Sequence, residues 1–221
     1  MNTLLLKLEN RNVKLMLSIG FALALYLARV KLTQSTYFGF LVWNLFLAAV
    51  PYLISQFLLA RSEYKKVTKA LFLLGFGAWL LFLPNSPYII TDLVHLHDDG
   101  ANLLWLDMFL IFVFALNGLL LGLLSLLDIS KLMQLYTTPK TTSLILFVAC
   151  MASGYGIYLG RFLRFNSWDI ATKPRILLIE IGNSFGEPKV WLITLAFGGF
   201  LWILFQLLQS LYGTDRREVL A

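Results

Sequence analysis

The chain has 221 residues, of which 59% are hydrophobic and 14% charged, with a formal net charge of +6. Soluble domains carry roughly 25% charged residues, so there is too little polar surface here for a water-soluble globule. The basic excess lies in short stretches between long apolar runs, which membrane topology explains and a nucleic-acid partner does not.

The apolar runs are unbroken rather than alternating, which predicts spanning helices and not a porin-like barrel. Taken in chain order, they predict spans at Lys14 to Val30, Phe38 to Ala60, Val67 to Leu83, Leu103 to Leu127, Thr142 to Gly160 and Val190 to Tyr212. The expected fold is therefore an all-α polytopic transmembrane bundle of about six spanning helices, forming one membrane domain over residues 1–221. The basic start at Lys7, Arg11 and Lys14 imitates a secretory signal, but the apolar core ahead of Ala22 and Ala24 is short, so an uncleaved first helix is expected. Cys150 is the only cysteine and lies inside the fifth run, which excludes a disulfide framework or cysteine-based zinc site and leaves it a packing role.

Two connecting regions depart from simple loops and read as interfacial or re-entrant segments. From Val67 to Asp99 a continuous helix would run about 50 Å, well beyond one bilayer. Pro84 and Pro87 must break it, and Tyr88 to Asp98 is expected to form a short helix in the outer interface, ended by Gly100. The fifth loop, Arg161 to Pro188, mixes apolar patches such as Ile176 to Ile179 with polar residues, the pattern of a segment lying on or dipping into the outer leaflet. Gly118 with Gly122, and Gly156 with Gly160, have the small-xxx-small spacing that lets helices approach closely.

An even number of spans puts both termini on one side. The termini with the second and fourth loops hold eleven Lys and Arg against seven in the other three loops, so the N- and C-termini are expected to be cytoplasmic. In that arrangement Trp43, Trp79, Trp105, Trp191 and Tyr158 fall near the outer ends of their helices, as an interfacial aromatic belt requires.

Polar side chains concentrate in two segments of the outer face, Pro84 to Asp99 and Arg161 to Asp169, with Asn44 and Asp107 placed to join them. Such groups are costly in apolar surroundings unless paired or wet, so convergence on one site is the economical reading. On a helix Asp92, His95 and Asp99 share a face, either as metal ligands or as a carboxylate-oriented histidine base. The plainer alternative has Asp98, Asp99 and His97 solvated and Asp92 bonded to His95 for structure. Arg161 and Arg164, three apart, suit a phosphate or carboxylate; otherwise they snorkel, or pair with Asp92, Asp107 or Asp169. Asp107 is read as a proton-handling group or, more simply, as an arginine's partner. No phosphate-binding loop, HExxH or nucleophile elbow is present, and neither a metal nor a cofactor is identified.

The segments Trp43 to Pro51, Phe82 to Asp92, Phe114 to Gly122 and Gly156 to Asp169 resemble a family of bacterial membrane proteins catalogued only as a domain of unknown function. The resemblance implies a bacterial cell-membrane location and a shared fold, and brings no activity with it. From the residues, the leading expectation is an outer-face site that binds, and acts on, an anionic lipid or lipid-linked envelope head group. In it Arg161 and Arg164 neutralise phosphate, Asp92 orients His95 as catalytic base or helps hold a metal, and Asn85, Tyr88, Asn166 and Asp169 complete the ligand site. A small-solute transporter or channel with a polar route through Asp107, Asn117 and Asp92 is the alternative, followed by a structural or assembly subunit.

Overall fold

A computed structural model of the protein describes residues 3–64, 68–97 and 103–218. Among these residues the structure is helical, with no strand: α1 (Thr3–Thr33), α2 (Gly39–Tyr64), α3 (Lys69–Phe82), α4 (Asn85–Tyr88), a 3-10 helix (Ile89–His97), α5 (Leu104–Met133), α6 (Pro139–Arg161), α7 (Asp169–Thr172), α8 (Pro174–Ser184) and α9 (Pro188–Glu218). Six segments are long and apolar enough to cross a membrane, so the chain is an all-α, multi-pass membrane protein. The face where α1 and α6 end and α2, α5 and α9 begin is called the loop face here, and the opposite one the terminal face.

Helix starts follow their local chemistry. The Thr68 hydroxyl accepts from the Leu71 N–H at 3.3 Å to cap α3, and Thr138 caps α6 in the same way, with Pro139 at the first helical position. The centre of the bundle is α5, whose thirty residues run about 45 Å without a breaker and are buried along most of their length. Against it pack α1, α2, α4 and the 3-10 helix, while α6 and α9 form a close pair that meets the rest more sparingly. That pair is tight because an added Cβ at Gly154 would stand 2.5 Å from the Thr194 carbonyl oxygen, and one at Gly198 would stand 2.8 Å from that of Cys150. Cys150 is fully buried in this contact region.

The expected end of the fourth span at Leu127 falls short, since α5 continues to Met133. Asp128, just past that end, is fully buried: Arg11 grips both its carboxylate oxygens at 3.0 and 2.9 Å, and Gln56 donates to it as well. At the other end of the same two helices Arg29 Nε donates to Asp107 at 3.0 Å, with the guanidinium over the Phe38 ring. Two buried ion pairs thus fasten α1 to α5. Asp107 has an arginine partner, but it is Arg29 rather than Arg161 or Arg164.

The proline break is not at the outer interface, where it was expected. α3 has 14 residues and climbs only about 21 Å, too little to cross a core of about 30 Å. The nine-residue 3-10 helix, rising about 2 Å per residue, supplies roughly another 18 Å, so α3, α4 and the 3-10 helix together match the height of α5. Lys69–Leu96 is thus one candidate crossing, interrupted beside Gly118 at the middle of α5. For the same reason Trp79 does not belong to an aromatic belt: it is fully buried, its indole N–H donating to Ser125 Oγ at 3.0 Å. Tyr158 is also buried, between the rings of Tyr155 and Phe162, whereas Trp43, Trp105 and Trp191 are exposed near the loop face as a belt requires.

In the fifth loop, α8 buries Leu177 and exposes Ile176, Leu178 and Ile179, the surface of a helix lying in an interface. It is attached to α6 by the Tyr155–Ser184 hydroxyl pair at 2.7 Å and by the parallel rings of Tyr155 and Phe185.

Candidate functional site

The interruption in the third span is held between two glycine pairs. On one side an added Cβ at Gly118 would stand 2.8 Å from the Ser86 carbonyl oxygen, and one at Gly122 would stand 2.6 Å from Ser86 Cβ. Facing them, a Cβ at Gly156 would come within 2.5 Å of Pro84 Cγ, and one at Gly160 within 3.2 Å of the Tyr88 ring. Both small-xxx-small pairs therefore act in packing, but they receive a proline-containing turn rather than another long helix. Two carbonyls of this turn are covered locally, with Asn85 Nδ2 donating to the Phe82 carbonyl at 2.9 Å and Thr91 Oγ1 to that of Tyr88 at 2.7 Å, while Ser86 Oγ ties the turn to α2 by donating to the Ala48 carbonyl at 3.3 Å.

Directly beyond the turn lies a buried polar cluster. Asp92 is 1% exposed; its Oδ2 accepts from Asn44 Nδ2 at 2.8 Å and its Oδ1 from Arg161 at 3.3 Å. Arg161 also donates to the Thr91 carbonyl at 3.0 Å and lies 3.2 Å from His95 Nε2. A guanidinium has only donors, so in this contact Nε2 is the accepting nitrogen. His95 also lies against the Phe40 ring. Asp99, the third member of the expected metal-binding face, and Asp98 lie outside the described residues, as does Gly100. Among the described residues no three His, Cys, Asp or Glu are grouped to hold a metal.

Beside this cluster, at the seam between α2–α4 and α6, is a cavity of 640 Å³ roofed by residues 164–170 and α8. Its polar end is formed by Asn44, Asn85, Tyr88, Arg164, Asn166 and Ser167, and Trp43 stands at its edge. Its deeper end, farther from the loop face, is lined by Gly77, Leu80, Leu81 and Ala152, of which Gly77 and Ala152 are exposed on the bundle surface, with Leu177 and Ile181 of α8 reaching in from the roof. Arg164 has φ 58°, in the left-handed region, and its exposed guanidinium has no hydrogen-bond or ion-pair partner among the described residues. Such a backbone costs a non-glycine residue about 1–2 kcal/mol, and strain of this kind concentrates at functional sites.

The roof is anchored by Asp169. Its carboxylate accepts from the Asn166 backbone N–H at 2.8 Å and from Thr172 Oγ1 at 2.9 Å, with Lys173 at 3.9 Å. The Asn166 N–H, followed by the Thr172 hydroxyl and the Lys173 charge, holds this carboxyl below the usual aspartate range. Asn85 ties the roof to the turn by donating to Ser167 Oγ at 3.0 Å.

Of the residues singled out in the sequence, Asn85, Tyr88, Arg164 and Asn166 line the cavity, while Asp92, His95 and Arg161 stand behind Asn44 and Tyr88, and Asp169 organises the roof. Asp107 and Asn117 lie outside the lining: Asp107 is paired with Arg29, and Asn117 donates to the Val113 carbonyl of its own helix at 2.9 Å. The deep apolar wall and the Tyr155–Ser184 attachment escaped sequence reading, because nothing in an apolar run marks the residues that face a gap. No curated protein and no solved structure matches the chain. Residues 43–204, from α2 through most of α9, match a family model described as protein of unknown function (DUF1361). Covering most of the chain and the whole of the cavity wall, this match places the protein in the DUF1361 family.

Proposed function

We propose that the cavity binds an anionic lipid or lipid-linked envelope head group in the outer leaflet of a bacterial cell membrane, the termini being cytoplasmic and the loop face outside. The observation that carries this reading is the polarity of the cavity along its depth: an arginine without a partner among the described residues, with amides and hydroxyls, at the loop face, and aliphatic and glycine surface farther from it. That gradient matches an amphiphile with a charged head and an apolar chain, and it suits a free ion poorly, since the deep end offers no polar group. Arg164 and Ser167 supply donors to the anion. Asp92, Asn44 and His95 are assigned to holding Arg161 behind the Tyr88 ring, which gives Asp92 and His95 positioning roles; a base role for His95 would require Arg161 to leave Nε2.

Native mass spectrometry of the full chain in mild detergent tests the reading. Wild type should retain an anionic lipid that is lost from folded Arg164→Ala, and equal retention by both would refute it. The interruption of the third span favours a second reading, passage of a solute or head group across the bilayer, because broken spans line binding sites in transporters. Flux into proteoliposomes that is blocked by filling the cavity at Gly77 would support this second reading over simple binding.

A further inference from the structure

The donors and acceptors of the cavity define the head group more narrowly than its charge does. Asn85 spends its Nδ2 on two oxygens, the Phe82 carbonyl at 2.9 Å and Ser167 Oγ at 3.0 Å. Asn44 spends its Nδ2 on the Asp92 carboxylate at 2.8 Å. A carbonyl and a carboxylate only accept, so both amides are fixed in orientation, and in each the Oδ1 is the end without a partner among the described residues. Among the described residues Arg164 is the only charged side chain of the lining, and none of them gives it a carboxylate.

A fully ionised phosphate is also acceptor-only. It satisfies Arg164 and the Ser167 hydroxyl but gives nothing to the two amide carbonyls, which need hydrogens. An ammonium-bearing head group has hydrogens, but it would place a second positive charge near Arg164 with no carboxylate in the lining to offset it. Hydroxyl groups meet the need without charge. Trp43 at the edge and Tyr88 in the wall add aromatic surface suited to the C–H surface of a ring. We propose, resting on the anionic-lipid reading above, that the head group is a hydroxylated phosphate ester, a glycerol or sugar phosphate carried on a lipid chain.

The test uses the full chain in mild detergent and measures displacement of a fluorescent anionic lipid by dioctanoyl phosphatidylglycerol, phosphatidic acid and phosphatidylethanolamine, and by a short-chain polyprenyl glycosyl phosphate. Phosphatidic acid shares the chains and phosphate but lacks the second glycerol and carries more negative charge, so charge alone ranks it first. The expected result is the reverse: the hydroxylated esters bind about tenfold tighter than phosphatidic acid, the effect of one or two net hydrogen bonds. In Asn85→Ala this preference should shrink to about twofold while phosphatidic acid affinity holds. Because Asn85 also anchors the roof, Asn44→Ala, which removes the other amide oxygen, serves as a second variant, with melting temperatures confirming that both fold, and it too should narrow the preference. A stronger glycosyl phosphate supports the sugar form and a stronger phosphatidylglycerol the glycerol form. Phosphatidic acid or phosphatidylethanolamine binding as tightly as either, with Arg164→Ala still weakening all anionic lipids, overturns this inference alone. If Arg164→Ala weakens none of them, the anionic-lipid reading falls with it.

Discussion

Replacing Arg161 and Arg164 by alanine, one at a time, should have opposite consequences although the two residues are three apart in sequence. Arg161 touches the Asp92 carboxylate, the Thr91 carbonyl and His95, and Asp92 is buried almost completely. Removing one partner of a fully buried ion pair costs about 3–5 kcal/mol. Here the arginine side chain keeps 19% exposure and Asn44 still donates to Asp92, so about 2–3 kcal/mol is expected. In a chain of this length that lowers the melting temperature by roughly 4–12 °C. Arg164 has no partner to lose, and its alanine variant should stay within about 0.5 kcal/mol of wild type while losing the anionic lipid. Glycine at the same position should do better than alanine. It removes the left-handed penalty of about 1–2 kcal/mol and returns about 0.5–1 kcal/mol to the unfolded chain, a net gain of about 0.5–1 kcal/mol. Thermal unfolding in detergent followed by tryptophan fluorescence, with lipid retention measured on the same samples, reads both quantities. Equal destabilisation by the two alanine substitutions, or a glycine variant less stable than the alanine one, would refute the division of labour.

Three further outcomes follow from the geometry. A Cβ at Gly77 meets nothing within 4 Å although Gly77 lines the deep end, so Gly77→Leu should fold normally, exclude a long-chain anionic lipid and spare a short-chain analogue in displacement assays. Asp107→Asn weakens the fully buried pair with Arg29 and should cost about 3 kcal/mol of stability, seen as a lower melting temperature without a change in lipid identity. Because the Asp169 carboxyl is held below its ordinary value, its contribution to the roof is fully present above the unfolded aspartate pKa of about 3.9 and is lost as pH falls through the lower folded value. Its contribution to lipid affinity should therefore be flat from pH 5 to 8, and Asp169→Asn should weaken binding across that range; an unchanged affinity in this variant would argue against the anchoring role.

The sequence by itself determined the number of spans, because a bilayer core of fixed thickness imposes a length that continuous apolar runs either meet or do not. It also drew Asn85, Tyr88, Arg164 and Asn166 into one neighbourhood, since polar groups in apolar surroundings must converge on one another or on water. Depth and partnership were decided only by the tertiary structure. Pro84 and Pro87 announce a break, yet its height depends on Gly118, Gly122, Gly156 and Gly160 opening a space for the turn. The fourth span runs past its expected end at Leu127 because Arg11 and Gln56, 117 and 72 residues away, neutralise and bond Asp128 inside the bundle. Arg161 and Arg164 look alike in the sequence. One is turned into the bundle by Asp92 and the other is left facing a cavity by a left-handed backbone, because pairing is set by distances that no local pattern encodes.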